Sequence, residues 1–352
     1  MADDDLLIER LLRVIDEGRR TATYKLALLM ALIDAAAISN GAPEIPTRVV
    51  AGQVLALYYP QTRIYVANDG IERELRQITM KGSPPLRAVL RLRLHGDAAG
   101  CRSADDTKQR LTDEYEMALD VVEDTFVRYP IPLLQIVGTQ LMPFLYKQDW
   151  PEGTSVASLR RRGRDRVRLL PGVIDRLVVL GPMLRPLIEL HWANDIARWT
   201  GVQLEDSALR AHLFGTERVS FPRLLVGALR EVQNGCCFYC GDRIEGRGQV
   251  DHFLAWSRWP NDAIENLVLA DSCNGAKSDH LVVMAHLDRW QTHAEVHRAE
   301  LVDIASSGGW PTDPTRTLAL VTTTYAHLAA GTPLWVHGAD FERATGPLFL
   351  RS

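Results

Sequence analysis

Apolar residues recur at helical spacing through most of the first 150 residues. The opening helix is predicted by Leu6, Leu7, Leu11, Leu12 and Ile15, which stand one to four residues apart. Tyr24 to Ala37 is a nearly unbroken run of apolar helix formers and predicts a second helix packed on the first. Pro43 and Pro46 interrupt this helical pattern. After them, the pattern indicates a helix starting near Thr47 and a longer one over about 104–127.

After residue 150 the predicted elements are helices, then short strands, then helices again. Residues 177–199 predict a buried helix pair broken by Pro182 and Pro186, and residues 221–232 predict a helix that leads into a cysteine-rich stretch. Short strands are expected at 250–253 and 265–269, and further helices at 284–305 and 318–328. The fold class is therefore α+β, with a mostly α-helical N-terminal region and a small C-terminal module.

The length of 352 residues predicts more than one domain. We divide the chain into a helical domain with a possible recognition or sensing role (1–150), an arginine-rich connecting region (151–225), a compact module (226–290) and a helical extension (291–352). The hydrophobic content of 46% and charged content of 24% are typical of a soluble globular protein. No apolar run is long enough to span a membrane, and the acidic start MADDD does not resemble a secretory signal, so we expect a cytoplasmic location.

The arginines concentrate in one place although the net charge of the chain is only −4. Residues 158–168, here called the arginine segment, contain six arginines and one aspartate. Guanidinium groups bind phosphate oxygens, so this segment is a candidate nucleic-acid-binding surface, and a merely solvated face is the alternative. The candidate residues are Arg160, Arg161, Arg162, Arg164, Arg166 and Arg168.

Chemistry-bearing residues follow one another in a fixed order after Asn234. Cys237 and Cys240 form a CxxC knuckle, a predicted strand then ends in Asp251-His252, and a long loop leads to Asn266 at the next predicted strand. The final part is a helix that opens with Cys-Asn and carries Lys277 one turn later. Five cysteines in a chain of this size favour metal binding over a disulfide framework.

Over about residues 230–285 this order resembles the HNH nucleases of the ββα-metal group, also called His-Me finger endonucleases. The three motif positions are His252, Asn266 and Asn274, so the resemblance is to an H-N-N variant, with Asp251 before the first motif residue. The resemblance implies a ββα-metal nuclease module at 226–290 that hydrolyses phosphodiester bonds.

The residue types suit that chemistry. His252 is able to accept a proton from water near neutral pH, and Asp251 and Asn274 offer hard oxygen ligands that suit Mg²⁺ or Mn²⁺. Asn266 would orient the histidine or brace the loop, and Lys277 would contact a phosphate or pair with Asp279. Neighbouring strand residues point to opposite faces, so Asp251 and His252 share a site only if the strand ends or bulges there, which we predict.

The cysteines predict a structural zinc site that lacks one ligand. Ala270 stands where family members usually have a further cysteine, which leaves Cys237, Cys240 and Cys273. Tetrahedral zinc needs a fourth ligand. The candidates are Cys236, Asp271, His280 and His286. Alternatively, the three cysteines pack as small apolar residues and no zinc binds.

The sequence thus predicts a metal-dependent endonuclease that cuts DNA. The arrangement is similar to that of bacterial restriction or phage-defence nucleases, in which a large helical part recognises a site or partner. Two alternatives stay open: an RNA-cleaving toxin-type nuclease, and a non-catalytic zinc knuckle that binds nucleic acid or protein. The expected partners are DNA, with RNA not excluded, and a second copy of the chain in a possible homodimer; no membrane partner is expected.

Overall fold

The computed structural model describes residues 2–16, 20–66, 70–78, 83–101, 103–137, 140–202, 207–215 and 221–351. The chain divides into two compact units, Met1–Arg218 and Val219–Ser352, here called the helical unit and the C-terminal unit. The predicted boundary at residue 150 falls inside the helical unit, and the predicted region 151–225 lies almost entirely within it. The predicted regions 226–290 and 291–352 both belong to the C-terminal unit.

The helical unit consists of helices with short two-stranded ribbons between them. Its helices are α1 (Ala2–Ile15), α2 (Tyr24–Ile38), α3 (Thr47–Gln61), α4 (Pro84–Ala98), α5 (Ala104–Arg110), α6 (Thr112–Arg128), α7 (Pro130–Leu133), α8 (Val156–Arg161), α9 (Val173–Thr200) and α10 (Ser207–Phe214). Its strands are β1 (Glu44–Pro46), β2 (Tyr65–Val66), β3 (Glu72–Arg73), β4 (Ile136–Val137), β5 (Gln140–Leu141) and β6 (Arg166–Arg168).

The core of the helical unit is built around α2. Every residue of α2 from Leu26 to Ala37 is buried, and all of them except Asp34 are apolar, as expected for a helix enclosed on all sides. This helix packs against α3 and α9, and α6 packs against α3 and α4. The ribbon formed by β1 and β6 is antiparallel, with Ile45 opposite Val167, so the arginine segment is joined to the body of this unit by strand pairing.

The C-terminal unit contains a β-hairpin, a three-stranded sheet and surrounding helices. Its helices are α11 (Arg223–Val232), α12 (Cys273–Lys277), α13 (Met284–Val296), α14 (Arg298–Gly308) and α15 (Pro314–Ala326). Its strands are β7 (Gln249–His252), β8 (Leu267–Ala270), β9 (Leu281–Val282), β10 (Pro333–His337) and β11 (Asp340–Arg343). Strands β7 and β8 pair antiparallel, and β10 lies between β9 and β11.

The fold class is confirmed: the protein is a mixed α+β fold that is mostly helical, with small sheets in its C-terminal part. Two predicted single helices are each divided in two. Leu111, with φ −129° and ψ 58°, separates α5 from α6, and an acidic first turn in α6 favours a new helix start there. His297 separates α13 from α14 in the predicted helix 284–305.

The predicted break at Pro182 and Pro186 is wrong, because α9 runs through both prolines. Each proline removes a backbone hydrogen bond and costs about 3 kcal/mol inside a helix. Burial of large apolar side chains, at about 1.5–3 kcal/mol each, offsets that cost along the side of α9 that packs on α2. The buried residues of α9 include Leu177, Leu184, Ile188 and Trp192.

Among the residues that the structure describes, no helix combines the length and the apolar character that crossing a bilayer requires.

Candidate functional site

A short hairpin and a one-turn helix form the framework of the candidate site. Strands β7 and β8 pair in regular register from Gln249 opposite Ala270 to His252 opposite Leu267. Gly248 precedes β7 with φ +74°, and a Cβ there would approach the side chain of Leu269 to 3.1 Å, so a glycine is needed at this turn. Helix α12 follows β8 after two residues and contacts β7. The chain therefore forms a compact β-β-α arrangement.

The predicted cysteines converge with one aspartate. Potential ligand atoms of Cys237, Cys240, Cys273 and Asp271 all lie within 4.8 Å of one another, and this group, here called the cysteine cluster, could hold a metal ion. The thiol of Cys237 donates to Asp271 Oδ1 at 3.3 Å, and the thiol of Cys240 donates to Asp271 Oδ2 at 3.4 Å. Of the four candidates for the missing ligand, the structure selects Asp271.

The electrostatics of the cysteine cluster follow from burial and hydrogen bonding. The backbone N–H of Cys273 donates to Asp271 Oδ1 at 2.8 Å and lowers the pKa of this carboxyl to about 2. Burial raises the pKa of the Cys240 thiol to about 11 and also raises that of Cys273. The ionised carboxylate and three adjacent sulfur atoms form a set of donors typical of a metal site.

The three other candidates for the fourth ligand make different contacts. Cys236 donates its thiol to the carbonyl oxygen of Asn234, and His280 packs edge-on against Phe341. His286 bonds the carbonyl oxygen of Val336 through Nε2 and stacks on Trp335. None of the three belongs to the metal-type group found among the described residues.

Asp251 lies on the side of β7 that faces α12, here called the helix-facing side. Its Oδ2 accepts the Tyr239 hydroxyl at 2.5 Å and pairs with the Lys277 ammonium at 3.0 Å. Lys277 is 0% exposed and also donates to the carbonyl oxygen of His252. Burial raises the pKa of Asp251, while Lys277 and Tyr239 lower it. The assignment of Lys277 to a substrate phosphate is therefore wrong, because its ammonium is enclosed and already paired, with Asp251 rather than Asp279.

Asn274 is the second residue of α12 and contacts the helix-facing side of β7. Its Nδ2 donates to Gln249 Oε1 at 2.9 Å, and Gln249 stands two residues before Asp251 on the same face of β7. Within the described chain, neither Asp251 Oδ1 nor Asn274 Oδ1 accepts a hydrogen bond, and neither atom is among the buried atoms without partners. Asp251 on β7 and Asn274 on α12 thus both lie at the helix-facing side, and one side-chain oxygen of each residue takes no hydrogen bond within the described chain.

His252 is the last residue of β7, as the prediction of a strand end requires, and the pairing shows no bulge there. Its ring leaves the strand on the other side from Asp251. Nε2 lies 2.7 Å from Asp262 Oδ1, and the ring tilts against Phe221 at 5.7 Å between centroids. Across the described residues, no hydrogen bond joins the ring to Asp251 or Asn274. Asp262 is a candidate functional residue that sequence reasoning missed.

Asn266 braces the loop between the two strands. It is fully buried, its Oδ1 accepts the N–H of Leu254 at 2.9 Å, and its Nδ2 donates to the carbonyl oxygens of Leu254 and Asn261. Its side chain makes no hydrogen bond to the ring of His252. Of the two roles predicted for Asn266, the structure favours the bracing of the loop over the orientation of the ring.

The arginine segment lies in the helical unit at the turn from α8 to β6. Arg160 pairs with the buried carboxylate of Glu123 at 2.5 Å, and Arg168 forms a two-pronged pair with Asp149, so these two guanidinium groups are already engaged. Both side chains also keep a large exposed fraction, so their assignment to phosphate contact stays a prediction. The other four arginines are exposed and have no ion-pair partner among the described residues; they are Arg161, Arg162, Arg164 and Arg166.

The fold and the site define a two-part protein: a helical unit, and a β-β-α unit that carries a cysteine-rich cluster able to hold a metal ion. Residues 5–213 match the family model described as "Domain of unknown function (DUF8808)". This match covers more than half of the 352 residues, so the chain belongs to that family. The match lies within the helical unit and ends before the candidate site. No curated protein and no solved structure matches the chain.

Proposed function

We propose that the protein is a metal-dependent endonuclease of the HNH type, which hydrolyses phosphodiester bonds of DNA with its C-terminal unit. The observation that carries this proposal is the grouping of three residues around one hairpin: Asp251 on the helix-facing side of β7, Asn274 on α12 against that side, and the partly exposed His252 at the end of the strand. Oxygen ligands for a metal ion and a proton acceptor, held by the same small framework, are what metal-assisted hydrolysis of a phosphodiester requires. A zinc knuckle that only binds nucleic acid does not need these oxygen ligands and this histidine.

Asp251 and Asn274 would hold the catalytic Mg²⁺ or Mn²⁺. The donor set fits such an ion, because Asp251 Oδ1 and Asn274 Oδ1 are hard oxygen atoms that take no hydrogen bond within the described chain. A bound divalent cation would stabilise the negative charge that develops on the phosphate and on the leaving oxygen. Lys277 and Tyr239 fix the other oxygen of Asp251, so the carboxylate does not rotate freely.

His252 is the proposed general base. Its side chain is 19% exposed, so water reaches the ring while the surrounding residues restrict its position. Asn266 acts on the histidine indirectly, because it holds the loop that follows β7. In this account Lys277 contributes by pairing with Asp251 and by binding the carbonyl oxygen of His252, and it makes no contact with substrate.

The cysteine cluster is proposed as a structural zinc site with three thiolates and the carboxylate of Asp271. Sulfur ligands around tetrahedral zinc lie about 3.7 Å apart, which agrees with ligand atoms gathered within 4.8 Å. The cluster joins the knuckle at Cys237 and Cys240 to the start of α12 at Cys273. Zinc at this position would therefore hold α12 against the hairpin and support the catalytic residues from the side.

The helical unit is proposed to bind the substrate or to recognise a site, a modification or a partner. Arg161, Arg162, Arg164 and Arg166 present four exposed guanidinium groups within six residues, which suits a phosphate backbone. We place the protein in bacterial restriction or phage defence, by analogy with nucleases that combine a small cutting module with a larger recognition part.

The test is to incubate the full chain with supercoiled plasmid, single-stranded DNA and total RNA in parallel. Each substrate is treated with Mg²⁺, with Mn²⁺ and with a chelator. We expect metal-dependent cleavage with a preference for DNA. Cleavage of RNA alone would identify a ribonuclease instead, and intact substrates under every condition would contradict the proposal.

Asn274→Ala tests the metal assignment in the same assay. Asn274 is only partly buried and makes one side-chain hydrogen bond, so the variant should fold. The metal concentration for half-maximal cleavage is expected to rise about tenfold or more, the size of effect that weakened metal sites show. His297→Ala serves as a control, because His297 pairs with Glu300 and contacts no residue of the proposed site. An unchanged metal requirement in Asn274→Ala would remove Asn274 from the ligand set.

A further inference from the structure

The ring of His252 is held by a carboxylate that comes from the long loop after β7. Its Nε2 lies 2.7 Å from Asp262 Oδ1, and the Asp262 side chain is 36% exposed. An ionised carboxylate only accepts hydrogen bonds, so the proton of the neutral ring must reside on Nε2. The other nitrogen, Nδ1, then has a free lone pair. Within the described chain, no hydrogen bond to Nδ1 is present.

The loop fixes Asp262 from both sides. Trp310 donates its indole N–H to the carbonyl oxygen of Asp262 at 2.7 Å. The preceding residue, Asn261, is buried and donates to the hydroxyl of Thr317 at 3.0 Å. Asn261 also accepts the backbone N–H of the residue after Asp262. An exposed aspartate in a free loop would lose entropy on binding a histidine, but here the surrounding contacts have already fixed its backbone.

Aromatic side chains hold the other side of the ring. Phe221 lies 5.7 Å from the His252 ring and also 5.7 Å from the ring of Trp310, which is the residue that binds the Asp262 backbone. The histidine is therefore restricted by a carboxylate at Nε2 and by an aromatic ring beside it. This arrangement leaves Nδ1 as the atom of the ring that can take up a proton.

We propose that Asp262 is a positioning residue that fixes the tautomer of His252 with the proton on Nε2 and directs Nδ1 toward the reacting water. The consequence for catalysis rests on the proposed function. In the hydrolytic step, the water oxygen bonds to phosphorus while its proton moves to Nδ1, and the bond from phosphorus to the leaving ester oxygen breaks. The leaving oxygen keeps the electron pair of that bond and takes a proton from solvent water. The ring becomes an imidazolium, and the carboxylate of Asp262 stabilises its charge.

The tautomer is measured by NMR on the full chain with ¹⁵N-labelled histidine. Spectra are recorded at about pH 8.5, where histidine rings are neutral, and the His252 signals are identified by their loss in His252→Gln. In the wild-type protein we expect Nε2 to carry the proton. In Asp262→Asn the carboxamide is able to donate to Nε2, so a substantial fraction of the ring should change to the tautomer protonated on Nδ1.

Cleavage rates provide the second readout. Asp262→Asn should lower the cleavage rate constant about 100-fold, at the lower end of what general base catalysis contributes, with unchanged affinity for substrate. Asp262→Glu should recover part of the rate, because it restores the carboxylate. Asp340→Asn is the matched control, since Asp340 is an exposed aspartate of β11 that makes no side-chain hydrogen bond in the described chain.

The two readouts separate this inference from the proposed function. If the wild-type protein cuts no substrate, the proposed function fails, and the spectra still decide whether Asp262 sets the tautomer. If the wild-type protein cuts and Asp262→Asn shows both the wild-type tautomer and the wild-type rate, the positioning role is overturned.

Discussion

The helical unit and the C-terminal unit use their buried charges differently. In the helical unit, ion pairs connect segments that are far apart in sequence: Arg185 with Asp34, Arg20 with Asp195, and Glu123 with both Arg48 and Arg160. These pairs accompany the packing of a large apolar core. In the C-terminal unit, the polar groups gather around one hairpin and one short helix.

This difference distinguishes charged groups that stabilise the fold from charged groups that are candidates for chemistry. The paired groups of the helical unit satisfy one another, and the turn of the arginine segment presents four exposed arginines that have no ion-pair partner among the described residues. In the C-terminal unit, three carboxylates each contact a different kind of group. Asp271 lies beside thiols, Asp251 pairs with an ammonium group, and Asp262 bonds an imidazole ring. The family match covers the first unit, whereas the candidate chemistry lies in the second.

Removing a ligand of the cysteine cluster should cause the largest loss of stability. The resulting unfolding should be confined to the C-terminal unit. Structural zinc contributes on the order of 10 kcal/mol to the folding of small domains, so Cys273→Ser is expected to abolish zinc binding and to unfold the β-β-α region. Native mass spectrometry measures zinc content, and hydrogen exchange reports the unfolding of each unit separately.

Cys236→Ser is the matched control, because Cys236 is the chain neighbour of Cys237 and lies outside the cysteine cluster. It should keep one zinc ion per chain. Full zinc content in Cys273→Ser, or loss of zinc in Cys236→Ser, would refute the proposed ligand set.

Removing the cation from a buried ion pair should destabilise either unit by about 3–5 kcal/mol, because the carboxylate left behind is buried without its partner. The matched variants are Lys277→Met, which isolates Asp251, and Arg185→Met, which isolates Asp34. Denaturant unfolding gives both free energies. At temperatures where both variants are folded, Arg185→Met should cleave normally and Lys277→Met should not. Equal cleavage by the two variants would show that the pair at Asp251 is structural only.

Neutralising the free arginines should weaken DNA binding without changing the fold. The combined change of Arg161, Arg162, Arg164 and Arg166 to Ala should reduce the slope of log affinity against log salt concentration by up to about 3–4, because each phosphate contact contributes about 0.9. Fluorescence anisotropy with a duplex measures the slope. A control variant with Arg13→Ala and Arg110→Ala removes exposed arginines that are already paired. The same slope in all three proteins would exclude the arginine segment from binding.

The smallest predicted effect is a loss of stability in acid that arises in the C-terminal unit. Burial, reinforced by the nearby His297, lowers the pKa of His293 from 6.5 to about 4, so the folded state favours the neutral ring. As pH falls from about 6.5 to 4, the unfolded state takes up a proton first, and stability decreases by about 1–2 kcal/mol after allowance for partial exposure. His293→Phe should lose less stability over that range, as measured by urea unfolding. The exposed control His95→Gln should behave as wild type, and an identical acid response in His293→Phe would contradict this assignment.

Local patterns predicted the elements well because their causes are local. The apolar run of α2, the strand ending at His252 and the helix starting at Cys273 each follow from a few consecutive residues. Helix α9 was predicted to break because proline penalties are local, whereas the packing that offsets them comes from α2. The same limit explains Lys277, whose burial depends on Tyr239 and Asp251 from other parts of the unit.

Two carboxylates of the site, one left among four candidates and one missed by the sequence, have roles that depend on tertiary contacts. Asp271 was one of four candidate ligands, and only its position beside both knuckle thiols distinguishes it. Asp262 carries no motif of its own, and its function follows from the fold of the loop that Asn266 and Trp310 hold. The signal that could have indicated Asp262 is an acidic residue ten positions after the proposed base, within a loop that had to return to Asn266.

The cleavage rate of His252→Ala tests the central claim most directly. With duplex DNA in Mg²⁺ or Mn²⁺, the variant should cut about 10²- to 10⁴-fold more slowly than the wild-type protein while it binds DNA equally well and keeps its zinc. His297→Ala should cut at the wild-type rate. Cleavage by His252→Ala at the wild-type rate would contradict the account, because the proton acceptor on which the proposed hydrolysis depends would then be unnecessary.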